Sequence, residues 1–361
     1  MTSDRTIDFS ALITPVSSTQ VAQYKSVEKL KPSYTSASTV SRVIVAIIAI
    51  GFVGLTLLGF INSALAIAIS AVQDGSTVGL LPLVGPLIFL AFVVFAIFAI
   101  FRTVLKGGNS WERWYRLDTF AQENGLIFSR ADPNPQYPGS IFGQGDSRVV
   151  TEHLRSATDR FVDYGNYRYV TGSGKSRTTH NWGFLALQMD RALPNIVLDS
   201  KANNGLFGST NLPAVFAKSQ VLHLEGDFDK YFTLYCPKEY EADALYIFTP
   251  DLMALLIDEA SPFDVEIVDK WLFVYSSKVF DLRQPALHQR LFRIVDTVGA
   301  KALSQTDRYT DERVGDFAAN VVAPGGQRLK RGISVGAIVF GAVFIAIWAM
   351  PWIADLFSAG R

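Results

Sequence analysis

Three carboxylates occur at every second position in one short segment, where Glu225, Asp227 and Asp229 follow His223 along the chain. If the backbone is extended there, the four side chains share one face. Oxygen-rich clusters of this kind bind hard cations such as Ca²⁺ or Mg²⁺. The segment is therefore a candidate metal or catalytic site. The spacing differs from that of an EF-hand loop, and Gly226 is equally typical of a simple turn, with Asp229 capping the segment that follows.

The sequence Gly-Ser-Gly-Lys-Ser at 172–176 resembles part of a phosphate-binding loop. That motif requires a glycine five positions before Gly174, where this chain has Tyr169, and a helix directly after the loop. The residues that follow are typical of a loop entering a strand. The segment is therefore predicted to be the flexible tip of a hairpin.

Other catalytic chemistry finds little support in the residue pattern. The four histidines (His153, His180, His223 and His288) lie far apart, without the spacing of zinc ligands. The single cysteine, Cys236, excludes a disulfide framework within the chain, suits a reducing compartment and is expected to be a buried small hydrophobe. No nucleophile-elbow, kinase or dinucleotide motif is present. We therefore predict no cofactor, and the sequence leans away from an enzyme.

A second candidate site is the loop at 203–209, which places Leu206 and Phe207 among residues that favour exposed turns. Exposed apolar side chains at a loop tip often contact a partner. Alternatively, the two side chains fold back onto the core. Both interpretations stay open from the sequence alone.

Three apolar stretches, at 43–71, 79–101 and 333–353, are each long enough to be predicted as membrane-spanning helices. Lys and Arg residues precede the first stretch, follow the second and precede the third, whereas only Arg361 lies beyond the third. The positive-inside rule then predicts a multi-pass plasma-membrane protein with a cytoplasmic N-terminus, a large cytoplasmic domain and an external C-terminus.

These spans define the predicted domain organisation. Residues 1–39 are predicted to be a disordered tail, 40–102 a transmembrane hairpin, 103–331 a cytoplasmic domain, 332–354 a third transmembrane helix and 355–361 a short external tail. Aromatic and basic residues near the ends of the spans are candidate contacts with the membrane interface: Trp111, Trp114, Arg328, Lys330, Arg331, Trp348 and Trp352.

The segment between the second and third stretches is predicted to be an α+β domain with a mainly antiparallel sheet. Periodicity and turn residues predict strands at 161–170, 181–189, 196–200, 221–225, 231–236 and 244–248, and a hairpin of strands at 264–268 and 271–276. Helices are predicted at 109–124, from Thr249-Pro250 onward, and from about Pro285.

Four stretches in this domain resemble a family of uncharacterised bacterial, largely actinobacterial, membrane proteins that is known as a domain of unknown function. The stretches are Trp-Gly-Phe-Leu-Ala-Leu at 182–187, Leu-Pro-Asn-Ile-Val-Leu-Asp at 193–199, Leu-Glu-Gly-Asp-Phe-Asp at 224–229 and Tyr-Ile-Phe-Thr-Pro-Asp-Leu-Met at 246–253. The resemblance covers about 124–302. It implies membrane topology with a cytoplasmic domain, and it carries no known activity or catalytic residues.

The chain has 33 basic and 33 acidic residues, a balance that argues against a nucleic-acid-binding protein. The expected partners are a lipid bilayer and a protein partner or a second copy of the chain. We therefore expect a membrane-anchored interaction or scaffold module, such as a subunit of a plasma-membrane complex. The alternative is an enzyme or sensor for a lipid or envelope precursor that uses the 225–229 carboxylates.

Overall fold

We describe the chain from a computed structural model. The described residues are 7–29, 110–158, 160–204, 210–316 and 318–332, with separate helical residues at 51, 54–56, 58–67, 69–70, 73, 88, 91, 95, 344–345 and 348. The chain divides into two compact units. One comprises Met1–Thr14 and Arg116–Arg361, and the other comprises Pro15–Tyr115.

The helices are numbered here along the chain. The first ones are α1 (Ser10–Ile13), α2 (Ser18–Lys29), α3 (Ser110–Glu123) and α4 (Phe228–Tyr231). The later ones are α5 (Glu241–Ile247), α6 (Pro250–Leu255), α7 (Pro285–Ile294) and α8 (Ala300–Thr306). Turns of π-helix at Leu256–Ala260 and Val295–Gly299 extend α6 and connect α7 to α8.

The described residues of the larger unit form one seven-stranded antiparallel sheet. Its strands are β1 (Leu126–Pro133), β2 (Asp146–Ser156), β3 (Val162–Thr171), β4 (Thr178–Ser200), β5 (Val221–Leu222), β6 (Phe232–Tyr235) and β7 (Asp264–Ser276). The strand order is β1-β2-β3-β4-β6-β5, and β7 pairs with β4 outside this path. The predicted antiparallel α+β architecture of the domain is therefore confirmed.

The strand β4 organises the sheet because it contacts three neighbours. Its first half pairs with β3 from Thr178 onward, its last residues pair with β6, and β7 runs beside it along most of its length. The β4–β7 register shifts between Gln188 and Leu193. Such bulges bend a strand and increase its twist, so one long strand contributes to both ends of the sheet.

Side chains alternate between two cores on opposite faces of β4 and β7. Leu185 and Leu187 point to the larger core, which contains α3 and the helices from α5 to α8. Phe184 and Ala186 point to a smaller core, which is rich in aromatic rings. The residues of that smaller core come from the strands, from 141–142 and from 212–216.

Several predicted elements are confirmed and others need correction. The hairpin of β3 and β4 and the helices α3, α6 and α7 are confirmed. The predicted strand at 244–248 is wrong, because residues 244–247 belong to α5 and Phe248 follows its last turn. The predicted hairpin at 264–276 is also wrong, because the single strand β7 runs through the whole segment. At Asp269, where the sequence predicts a turn, the backbone has a positive φ of 51° but the strand continues.

The predicted membrane anchor is corrected. No helix in the described part of the chain is long and apolar enough to cross a membrane. The described residues within the predicted spans include the helical run 58–67. The other residues of the three stretches lie mostly outside the described residues. The structure thus contradicts the predicted multi-pass topology, and with it the plasma-membrane localisation.

The N-terminal segment also differs from its prediction as a disordered tail. The ring of Phe9 stacks on Phe120 with 5.9 Å between centroids, and Leu12 is buried. The backbone N–H and carbonyl of Asp8 bond to the side-chain amide of Asn124 at 2.9 and 2.8 Å. Residues 7–14 are therefore part of the larger unit, because a few apolar side chains and satisfied backbone groups hold them.

Candidate functional site

The backbone at 225–229 is not extended but turns at Gly226, so the three carboxylates do not share one face. Gly226 has φ of 72°, and α4 begins directly afterwards. The carboxylate of Asp227 pairs with Lys230 at 2.7 Å, whereas Asp229 Oδ2 lies 2.7 Å from Nδ1 of His223. The segment turns because Phe228 enters the core. Its carboxylates are therefore separated, and Glu225 points into solvent.

Within the described residues, no group of three or more His, Cys, Asp or Glu side chains has a metal-binding arrangement. The predicted cluster of Glu225, Asp227, Asp229 and His223 is thus not assembled as the sequence suggested. Cys236 is buried, and burial raises the pKa of its thiol to about 12. A thiol that is protonated at neutral pH is a poor nucleophile.

The candidate partner-binding residues Leu206 and Phe207 lie outside the described residues. The described residues on both sides of them are polar. The side-chain amide of Asn211 bonds to Oδ1 of Asn203 at 3.4 Å, and the hydroxyl of Thr210 donates to Asp199 at 2.9 Å.

Trp111 and Trp114, predicted to contact the membrane interface, are half-buried in the smaller unit. Their rings meet edge to face at 5.1 Å. The ring of Tyr24 lies 6.5 Å from that of Trp111, and the ammonium of Lys25 lies 5.7 Å from the same ring. Trp111 therefore contacts α2, and Trp114 packs against Trp111.

The predicted basic interface residues Arg328, Lys330 and Arg331 are exposed, but their backbone is fixed to the domain. The N–H of Lys330 donates to the side chain of Gln220, and its carbonyl accepts from Ala217. Arg331 forms an isolated bridge with Phe216. Trp348 is a described helical residue with an exposed side chain, and Trp352 lies outside the described residues.

Buried carboxylates instead collect on the aromatic face of the sheet, where β4 and β7 run side by side. The register pairs Leu198 with Val265 and Val197 with Glu266. The same antiparallel register places Asp199 opposite Asp264, and opposite residues point to the same face. All three acids are less than 5 % exposed. The hydrogen-bond partners of each acid show whether it has a structural role or is available to a ligand.

Glu266 is buried with every oxygen bonded. The backbone N–H of Ser140 donates to Oε2 at 2.7 Å and the hydroxyl of Tyr275 at 2.8 Å, while the amide of Asn195 donates to Oε1 at 3.0 Å. Burial raises the pKa of Glu266, and these donors lower it. This acid therefore has a structural role: it joins the connector after β1 to the sheet.

Asp264 is only half satisfied. Its Oδ1 accepts from the backbone N–H of Ser200 at 2.8 Å, whereas its Oδ2 is buried and has no hydrogen-bond partner in the described structure. The pKa of Asp264 is raised to about 7, mainly by burial and also by the charge of Asp199, against hydrogen bonds from the Ser200 backbone and the Asn203 side chain that lower it.

Asp199 shares this environment. Burial raises its pKa, and hydrogen bonds from Thr210 and Asn204 lower it. Oδ1 of Asn204 is buried without a partner. Neither Asp199 nor Asp264 forms an ion pair with another described residue. The arrangement thus joins two carboxylates and an amide oxygen, which are hard ligands.

A separate buried network lies between β2 and β3. The hydroxyl of Tyr137 donates to Asp163 Oδ2 at 2.6 Å, and Oδ1 of Asp163 lies 2.8 Å from Nδ1 of His153. The Nε2 of His153 is buried without a partner among the described residues. An Asp–His pair resembles the base of a nucleophilic enzyme. Because both side chains are 1 % exposed, a substrate in solvent does not reach this pair.

Sequence reasoning missed the Asp199–Asp264 pair. Both residues were assigned correctly to strands, but 65 positions separate them and only the β4–β7 register brings them together. The one signal in the sequence is an acid at or next to the end of each of two mainly apolar strands, at 196–200 and 264–268.

The comparisons with known proteins add little. No family model matches the chain. No curated protein matches it either. Among solved structures, the crystal structure of the mycobacterial trehalose monomycolate transport factor A, TtfA, is similar to part of it. The TM-score is 0.35 with 9 % identity, over 51 % of this chain and 91 % of that chain. A likeness this weak supports no argument about fold or function.

Proposed function

We propose that this chain is a binding module that accepts a strand of another polypeptide at the β1 edge of its sheet. One observation carries the proposal: β1 pairs with β2 over seven positions, from Leu126 to Pro133, and stands at the end of the strand order. An edge strand offers backbone donors and acceptors to an incoming chain.

The side chains of β1 favour such an encounter. Ile127 is 46 % exposed, and Ala131 is also exposed. Phe128 packs against the larger core, which holds the strand on the domain. Pro133 lacks an N–H and ends the edge, so 126–132 is the segment that pairs. This strand is rigidly supported and presents an apolar side chain to solvent.

The alternative of an enzyme that uses the 225–229 carboxylates has less support. Asp227 and Asp229 have separate partners in Lys230 and His223. No observation on the described surface favours a reaction at this segment.

Site-specific photo-crosslinking in the cells that express the full chain tests the proposal. A photoreactive residue is placed at Ile127 or Ala131 on the edge, and at Val279, which is 57 % exposed, as a matched control. We expect a discrete polypeptide adduct from both edge positions and none from position 279. In the Ile127→Lys background the adduct from position 131 should disappear, since a charge on an edge strand opposes pairing.

Two results would overturn the proposal. The edge positions could give no adduct, or all three positions could give the same adducts. Crosslinking of the purified chain to itself would identify the partner as a second copy.

A further inference from the structure

The buried carboxylates of Asp199 and Asp264 have fewer hydrogen-bond donors and cations around them than buried acids normally have, and the proposed function does not explain this. A buried carboxylate is normally paired with a cation or saturated with donors. Glu266, on the same face, follows this rule with three donors. Asp264 does not, because its buried Oδ2 has no hydrogen-bond partner among the described residues.

A second unpartnered acceptor lies in the same cluster. Asn204 bonds to Asp199 through its side chain and lowers the pKa of that acid, while its buried Oδ1 has no partner. Two acceptor oxygens cannot satisfy each other. A cation or a hydrogen-bond donor beside Asp264 and Asn204 would satisfy both oxygens.

No basic side chain of the described residues contacts the two oxygens. Lys201 is the basic residue whose charge lowers the pKa of Asp199. Its ammonium instead donates to the backbone carbonyl of Asp229. Neither Asp199 nor Asp264 has a salt bridge to any Lys or Arg of the described residues, so no basic group contacts the pair directly.

We propose that Asp199, Asp264 and Asn204 bind a hard divalent cation, Mg²⁺ or Ca²⁺, on the aromatic face of the sheet. The ligand chemistry selects this class, because carboxylate and amide oxygens suit these ions and the cluster offers no thiolate or imidazole. Two carboxylates with additional waters are a sufficient protein contribution for Mg²⁺.

The position of the cluster gives the ion a structural effect. Asp199 is the second-to-last residue of β4, Asp264 begins β7, and Asn204 lies a few residues beyond β4. A cation bound by all three side chains joins the two strands and the segment that leaves the sheet after Ser200. Binding therefore stabilises the folded chain, because the ion binds the native state and not the unfolded one.

A shared proton is the competing explanation. One of the two acids could hold a proton and donate it to the other or to Asn204. The two explanations differ in a measurable way, since a shared proton makes stability depend on pH but not on divalent ions.

The test is thermal unfolding and isothermal titration of the full chain with MgCl₂, CaCl₂ or MnCl₂, against NaCl of equal ionic strength. We expect Tm to rise with a divalent ion and to fall again with EDTA. Asp264→Asn should weaken binding by at least about tenfold, since even groups behind the ligands cost 10- to 100-fold. Asp227→Asn, an exposed acid in the 225–229 segment, is the matched control and should keep the full response.

The effect of Asp264→Asn on ion binding can be separated from an effect on folding. Asp264→Asn removes a buried charge, so this variant should unfold at the same or a higher temperature without divalent ions. If it fails to fold, Asn204→Ala, which removes a half-exposed side chain, should weaken binding instead. Absence of any divalent response at millimolar concentration, or a response that both variants keep, would overturn the proposal.

Discussion

The hydroxyl of Tyr164, on strand β3, lies 2.9 Å from Nδ1 of His288, on helix α7. The other ring nitrogen, Nε2, lies 2.7 Å from the backbone carbonyl oxygen of Leu282. A carbonyl oxygen only accepts, so Nε2 carries a proton. Burial lowers the pKa of the ring to about 4, so at neutral pH Nδ1 is unprotonated and accepts from the Tyr164 hydroxyl. The imidazole is therefore neutral, fully bonded and buried between the sheet and the helical layer.

This relationship predicts acid sensitivity. Burial lowers the pKa of His288 from 6.5 to about 4. Between these values the unfolded chain binds a proton that the folded chain does not, so the free energy of unfolding falls as the pH decreases from 6.5 towards 4. It is unaffected by this group above pH 6.5. The difference corresponds to about 3 kcal/mol. Urea unfolding at a series of pH values measures it.

The matched variants are His288→Gln and His223→Gln. The first should be less stable at neutral pH but should lose this part of the pH dependence. The second removes an exposed imidazole and is the control for the substitution itself. Parallel curves for all three proteins would show that His288 does not titrate in this way.

A second prediction concerns the close approach of β2 and β3. A Cβ added at Gly165 would lie 2.5 Å from Cβ of His153 and 2.7 Å from the carbonyl oxygen of Glu152. Because one contact is with backbone, the strands must separate, and Gly165→Ala should cost about 1–3 kcal/mol. Gly143→Ala is the control, since nothing lies within 4 Å of its added Cβ. Equal Tm values for the two variants would contradict the prediction.

Local signals explain which parts of the fold the sequence predicted. Helix α6 starts at Pro250 after Thr249, a pattern that is favourable at a helix N-terminus. Helix α7 shows a clear apolar stripe that includes Leu291 and Ile294, which are both buried. These patterns depend only on residues a few positions apart in the sequence, so each helix can be predicted from its own segment.

The incorrect elements depended on more distant information. The apolar run at 244–248 suits either a strand or a buried helix. The segment is helical in the structure. Ala244 and Ile247 face the larger core, and the first turn of the helix contains Glu241 and Asp243, which suit a helix N-terminus. The candidate cation site was missed for the same reason, because the β4–β7 register alone brings Asp199 and Asp264 together.

A third prediction tests how the N-terminal segment is held. Leu12 is buried in the larger core, whereas Ile13, the next residue of α1, is 69 % exposed. Leu12→Ala should therefore release 7–14 from the domain, at a cost of roughly 2 kcal/mol or more. Amide hydrogen exchange should become faster in 7–14 and stay unchanged in β3. Ile13→Ala should exchange like the wild type, and an equal effect of both variants would show that Leu12 does not anchor the segment.

A fourth prediction separates structural acids from the candidate cation site. In Glu266→Gln, an amide NH₂ replaces one of the carboxylate oxygens that accept from Ser140, Asn195 and Tyr275. At least one buried donor then loses its acceptor, so we expect a loss of about 1–3 kcal/mol in urea unfolding. Glu225→Gln, at an exposed position, should change stability little. Because Glu266 has its own donors, its variant should still respond to Mg²⁺ or Ca²⁺ as the wild type does; loss of that response would mean that the ion-binding cluster extends to Glu266.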